Sequence, residues 1–307
     1  MRSAKMKTPD SQAGDNGLAI ERLLFVADAA VADVGELPRE VRAVIEAAAE
    51  VYVVTPTLPG RLAWLADDVD GFRHIADERL DTVLGHMHSI GAHASGLAGR
   101  GSVFPVIEDA VAVFKPDHVL IALRSPEHAN WQERRLIDHI KERFGLPLTT
   151  YAVDSQGHAP TADGPLLLCY DGSDAAARAV ERAGALFPGR YALVVTVWKP
   201  TVNVSTIGRL GARDSMGTFV EDDRAAAVRA GRVADEGARL ACEVGLNAEP
   251  AAVEGASPWA AILEMADRHD ATIVMGSRGL SGMRSKLLGS VSSAVVHHTA
   301  RPTLLVP

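Results

Sequence analysis

Near the end of this 307-residue chain an apolar run, Ala271 to Met275, is followed at once by Gly276 and then Gly279. Farther on, Gly289-Ser290 opens a helical pattern through Val291, Ala294 and Val295 that ends at Arg301-Pro302. These residue types suit the binding of an anion. A glycine after a strand leaves no Cβ between a ligand and the backbone. A helix start carries unpaired N–H groups and partial positive charge, so its amides can hold phosphate oxygens. Ser290 and Ser292 add hydroxyl donors, and Arg278 adds charge. The plain alternative is a tight turn and an ordinary serine N-cap. The full pattern, G-x2-G-x9-G-S between two apolar runs, argues against it.

Such a motif needs strands and helices to place it, and the chain supplies them in alternation. Residues 1–18 are polar and predict a disordered tail. Strands are expected at Leu23–Ala27, Val51–Thr55, His118–Leu123 and Leu148–Val153, from short apolar runs bounded by turn residues. A third strand of this half is weakly marked, near Gly91–Ala98 or Ser102–Phe104. Helices are expected at Glu36–Ala49, Asp77–Ala94, Pro105–Phe114 and Glu127–Phe144. Asp154 to Gly164, DSQGHAPTADG, reads as a linker. The alternation then restarts with strands near Pro165–Tyr170, Tyr191–Trp198, Ala248–Glu254, Ala271–Met275 and Thr303–Val306. Helices near Asp174–Phe187, Glu221–Val244 and Ser257–His269 stand between them. The repeat shows in residues as well: Pro105–Ala122 parallels Pro258–Met275, and Leu23–Asp28 parallels Leu167–Gly172. The expected organisation is a tail (1–18), a first domain (19–153), a linker (154–164) and a second domain (165–307). Each domain is an open parallel sheet with helices on both faces.

The stretches MGSRG and LLGSVSSAVVHHTARPTLLVP resemble the nucleotide-binding signature of the universal stress protein family. The resemblance extends over nearly everything beyond the tail and implies a tandem two-domain member with an adenine-nucleotide α-hydrolase-like α/β fold. It implies ATP, with Mg²⁺ a possible companion, in the second domain. Asp171 matches the family's aspartate that contacts adenosine, and Val197 the residue whose main chain reads adenine. Met275 and Gly276 would flank the ribose. Arg278, Gly279, Gly289, Ser290, Val291 and Ser292 would surround the phosphates. Tyr170 stands where the family often has a smaller residue, a departure that bears on the shape of the adenine pocket. In the first half no glycines follow the strand at His118–Leu123; Arg124, Ser125, Pro126 and Glu127 do. Pro126 lacks a donor and Glu127 repels phosphate. Asp28 survives without its partners, so the first domain is expected to be degenerate and to bind no ATP. Arg124, His128 and Arg134 offer either a site for another anion or solvated helix charges, the second being the commoner case.

A net charge of −8 disfavours nucleic acid and anionic membranes as partners. Two cysteines without a CxxC pair suit a reducing compartment. With no secretory h-region and no long apolar run, the expectation is a cytoplasmic protein. His86 and His88 are two apart, and His297 and His298 adjacent; neither spacing shares a helix face, so no metal site is expected.

Three functions follow from this reading. The first is a nucleotide-dependent stress-response or regulatory module with no catalytic residues, hydrolysing ATP slowly at most. The others are an adenine-nucleotide hydrolase or transferase and an ATP-gated partner-binding scaffold. The apolar last strands, Leu148–Val153 and Thr303–Val306, are edges that need pairing, within the chain as a pseudo-dimer or between chains as a homodimer. Lys199 to Thr218, with Arg209 and Arg213, would be a lid or a tether beside the site.

Overall fold

The structure, a computed structural model, describes residues 19–27, 37–56, 69–99, 103–125, 131–154, 156–160, 162–200, 216–279 and 288–307. The expectations for the tail, for Asp28, for Pro126 to His128 and for the loop carrying Arg209 and Arg213 lie outside these residues.

The first half runs β1 (Ile20–Ala27), α1 (Arg39–Glu46), β2 (Ala48–Thr55), α2 (Val69–Ser89), β3 (Ala94–Ala98), α3 (Val103–Phe114), β4 (His118–Arg124), α4 (Trp131–Phe144) and β5 (Leu148–Val153). The second runs β6 (Leu166–Cys169), α5 (Asp174–Leu186), β7 (Tyr191–Trp198), α6 (Met216–Glu243), β8 (Asn247–Glu254), α7 (Pro258–Arg268), β9 (Thr272–Gly276), α8 (Ser290–His298) and β10 (Thr303–Val306).

All ten strands join one sheet in the order β3-β2-β1-β4-β5-β10-β9-β6-β7-β8. Read outward from the middle, the two sets of five strands have the same order. Every pairing is parallel except β5 with β10, where Leu148 faces Leu305 and Thr150 faces Thr303. The two apolar last strands thus cover each other, and all their residues are buried. The outer edge at β8 carries Pro250, Glu249 and Glu254, residues that discourage further pairing.

Alternation along the strands divides the core into two layers. Phe25, Val53, Tyr151, Leu168, Tyr170 and Val274 face α1, α2, α5 and α6. Val26, Ile121, Leu167, Val195, Met275 and Leu305 face α3, α4, α7 and α8. Helix α6 contributes little bulk: Ala230, Ala234, Ala238 and Ala241 form its buried stripe. A Cβ on Gly237 would stand 2.7 Å from the Tyr170 ring, so the helix lies directly on that ring.

The seam between the halves is also polar. Glu40 of α1 is 2% exposed and accepts hydrogen bonds from Arg190, just before β7, and from the Thr272 hydroxyl at 3.2 Å. Arg190 also donates to the Gly164 carbonyl at 2.8 Å. On the other face, Asp138 of α4 meets His297 of α8 at 3.3 Å. Lys141 of α4 donates to the Leu146 carbonyl and, across the seam, to the Leu305 carbonyl. No helix among the described residues is long and apolar enough to cross a membrane.

Candidate functional site

Beyond Cys169, strand β6 leads through Tyr170 and Asp171 into α5. Gly172 makes the turn at φ 79°, a conformation that disfavours residues with a Cβ. Ser173 then caps α5 by accepting the Ala176 amide at 3.2 Å. The Asp171 carboxylate accepts the Ser173 amide at 3.0 Å, and this fixes its orientation. The helix cap is therefore Ser173, and the second carboxylate oxygen of Asp171 faces Gly279. A Cβ on Gly279 would lie 2.6 Å from that oxygen.

Strand β9 ends at Gly276 and is followed by Ser277, Arg278 and Gly279, and α8 begins after Gly289. The two ends are tied by backbone bonds. The Ser277 amide donates to the Val306 carbonyl at 2.6 Å, and the Gly289 amide donates to the Ser277 carbonyl at 2.8 Å. Gly289 is the N-cap residue of α8 and offers no capping side chain. The first bond along α8 runs from the Ser293 amide to the Gly289 carbonyl. The amides of Ser290, Val291 and Ser292 therefore precede the helical ladder without a side-chain cap.

These ends surround a cavity of about 310 Å³, within the usual size range of small-molecule sites. All eleven residues singled out in the sequence line it: Tyr170, Asp171, Val197, Met275, Gly276, Arg278, Gly279, Gly289, Ser290, Val291 and Ser292. Among the described residues, Cys169, Ala176, Val195, Pro258 and Ile262 line it as well. Simple spacing could have found most of these. Cys169 is two residues before Asp171 and Val195 two before Val197, on the same strand faces; Ile262 follows Pro258 by one helical turn. The cavity lies over the carboxyl ends of β6, β7 and β9. There the chain passes from β6 to β7 on one side, and β9 returns on the other. Ligands of open α/β sheets gather at this kind of switch in strand order.

Three side chains differ from expectation. Gly276 was expected to admit a ligand to the backbone. Instead, its Cβ position points at the Ala175 backbone, 2.7 Å from the carbonyl carbon, so its small size serves the packing of α5 on β9. The Ser292 hydroxyl was expected to serve as an anion donor. It is buried, 2.9 Å from the Ser277 carbonyl and 3.0 Å from that of Gly289, so it shapes the cradle from within. Tyr170 borders the cavity, but its ring packs against Gly237 on the opposite sheet face and its hydroxyl donates to Glu236 at 3.2 Å. The larger residue is thus accommodated by α6.

The chemistry of the lining is limited. Burial, reinforced by the Asp171 charge, pushes the Cys169 thiol up to about 12, so it is no thiolate nucleophile at neutral pH. Among the described lining residues it stands with the Asp171 carboxylate, the Arg278 guanidinium, the Ser290 and Ser292 hydroxyls and a set of backbone amides. Among the described residues no group of three or more His, Cys, Asp or Glu side chains could hold an ion.

The open, mostly parallel α/β sheet, with its cleft over the strand-order switch, matches the universal stress protein and adenine-nucleotide α-hydrolase-like fold. The model of the universal stress protein family matches residues 164–307. A universal stress protein of Thermus aquaticus is 38% identical over 143 residues, 46% of this chain and 96% of that protein. One from Bacillus subtilis is 28% identical over 144 residues, covering 97% of it. The crystal structure of a universal stress protein from Archaeoglobus fulgidus aligns over 93% of this chain and 97% of its own. Its TM-score is 0.54 and its identity 18%, a likeness of fold. The chain belongs to the universal stress protein family.

Proposed function

We propose that this is a tandem universal stress protein that binds ATP in its second half and acts as a cytoplasmic, nucleotide-dependent regulatory module. The supporting observation is the meeting, in one cavity at the strand-order switch, of Asp171 with the uncapped first turn of α8. In this reading the apolar side chains of Val195, Val197, Ile262 and Met275 take the base. Asp171 accepts hydrogen bonds from ribose hydroxyls. Arg278 and the amides of Ser290, Val291 and Ser292 take the phosphates. A magnesium ion accompanying ATP would be carried by its phosphate oxygens. Among the described lining residues the Asp171 carboxylate already accepts the Ser173 amide and Cys169 stays protonated, which favours holding over cleaving.

The test is thermal melting of the full chain with ATP, ADP, AMP and cyclic AMP. A ligand at about 100 times its Kd stabilises by roughly 2.7 kcal/mol. For a protein of this size that is a shift of about 4 °C. Arg278→Ala should weaken ATP about tenfold, the loss of one charge-assisted contact, and leave adenosine binding unchanged. Asp171→Ala should weaken both ligands. No shift with any of the four nucleotides would end the proposal. Equal loss of ATP and adenosine in Arg278→Ala would move the phosphates away from α8.

A further inference from the structure

Helix α4 belongs to the first half, yet it touches the phosphate end of the cavity through two routes. Lys141 is 4% exposed and donates to the Leu305 carbonyl of β10 at 3.1 Å, besides the Leu146 carbonyl at 2.8 Å. The residue after Leu305 is Val306, whose carbonyl takes the Ser277 amide. The Ser277 carbonyl in turn takes the Gly289 amide and stands beside the Ser292 hydroxyl. A continuous backbone route therefore runs from Lys141 to the first turn of α8. The second route is Asp138, one turn earlier on α4, which meets His297 in the last turn of α8. One helix thus holds both the strand beneath the cradle and the far end of the helix that forms it.

We propose that Lys141 is a positioning residue for the phosphate end of the cavity, linking occupancy of the second half's site to the seam with the first half. The inference rests on the nucleotide reading above and adds the route by which the first half acts on that site.

The charges around Lys141 give the link a sign. Burial, aided by the positive Arg278, brings its amine down to about 7. Arg278 lines the cavity, so a polyphosphate beside it offsets the charge that repels a proton on Lys141. Binding then favours the protonated amine, and protonation favours binding by the same factor. The other groups nearby do not reverse this. His118, on β4, is held neutral by burial and by Arg182 and Lys141, its pKa well below the usual value. Asp138 faces His297, and Arg143 and His139 face Glu108 of α3.

The experiment is ATP affinity of the full chain, and separately tripolyphosphate affinity, by calorimetry from pH 6 to 9. Lys141→Met serves as the blank for titration of the ligand's own phosphates. Wild type is expected to lose about tenfold more affinity than Lys141→Met as the pH rises through 7 to 8, equivalent to a rise of one unit in the Lys141 pKa on binding. Lys141→Arg, which keeps its charge throughout, should be flat like the methionine variant. If these variants fold poorly, the wild-type protein labelled with ¹³C at lysine Cε reads the same quantity. The Lys141 midpoint should rise on adding ATP and stay in place on adding adenosine. Parallel pH profiles, or an unmoved midpoint with ATP bound, overturn the inference alone. Absence of ATP binding at every pH overturns the nucleotide reading and this inference with it.

Discussion

Gly276→Ala is expected to cost about 3 kcal/mol of stability and to lower the melting temperature by roughly 5 °C. The first atom of any side chain at this position would stand 2.7 Å from the Ala175 carbonyl carbon and 2.9 Å from its oxygen and Cβ. These atoms are mostly backbone, so no rotamer change relieves the contact. Helix α5 must move off β9, and it carries Ser173, which fixes the Asp171 carboxylate. Loss of stability should therefore come with loss of the cavity's shape, and Gly276→Val should be worse than alanine. Gly231, on α6, provides the contrast. Nothing lies within 4 Å of its Cβ position. Gly231→Ala should stabilise by about 0.5–1 kcal/mol, the ordinary gain of alanine over glycine in a helix. Urea unfolding of the two variants checks both signs. A Gly276→Ala protein as stable as wild type would show that α5 is less closely seated than described.

Arg190→Ala should cost about 3–5 kcal/mol, because it leaves the Glu40 carboxylate buried without its cation. Among the described residues only the Thr272 hydroxyl would remain to it. The pair joins α1 of the first half to the start of β7 in the second, so the loss should fall on the contact between halves. Unfolding should become less steep or split into two transitions. The double variant Glu40→Leu with Arg190→Met removes both charges and should recover most of the loss, since the pair's burial itself costs desolvation. A loss below about 1 kcal/mol in Arg190→Ala would mean that water reaches Glu40 once the guanidinium is gone.

Much of the architecture was legible because alternation of apolar runs survives in the residues. Strands β7 and β10 fall where their apolar runs place them. Boundaries moved where neighbours decided. The first helix was expected to reach Ala49 but ends at Glu46, because Ala48 and Glu50 pair with Ile20 and Arg22 of β1. β3 was weakly marked because it is an edge strand of small residues, ASGLA, and Gly96 there is demanded by the nearby Val53 carbonyl. Helix α2 starts at Val69, ahead of the expected Asp77. The site was legible at the level of backbone chemistry, since glycine and serine types report turns and helix starts. Which way those residues face was not. That Gly276 faces α5 and Ser292 faces Ser277 depends on how separate elements pack. Lys141 did leave a trace: it stands one turn after Ile137 and three residues before Phe144, within the apolar stripe of α4. A cation in that stripe is a sign of a specific acceptor, here the Leu305 carbonyl.

The antiparallel meeting of β5 and β10 has a consequence for assembly. Two like edges that face each other across a pseudo-twofold form a self-complementary contact of the kind identical subunits use to dimerise. Here both sides belong to one polypeptide, so the contact is saturated at a stoichiometry of one. It forms at any dilution, and its strength does not vary with concentration. A second copy of the chain finds no strand left to pair with at that place. Its remaining docking faces are the two helix layers and the outer strands β3 and β8, so higher assembly would have to follow a different axis.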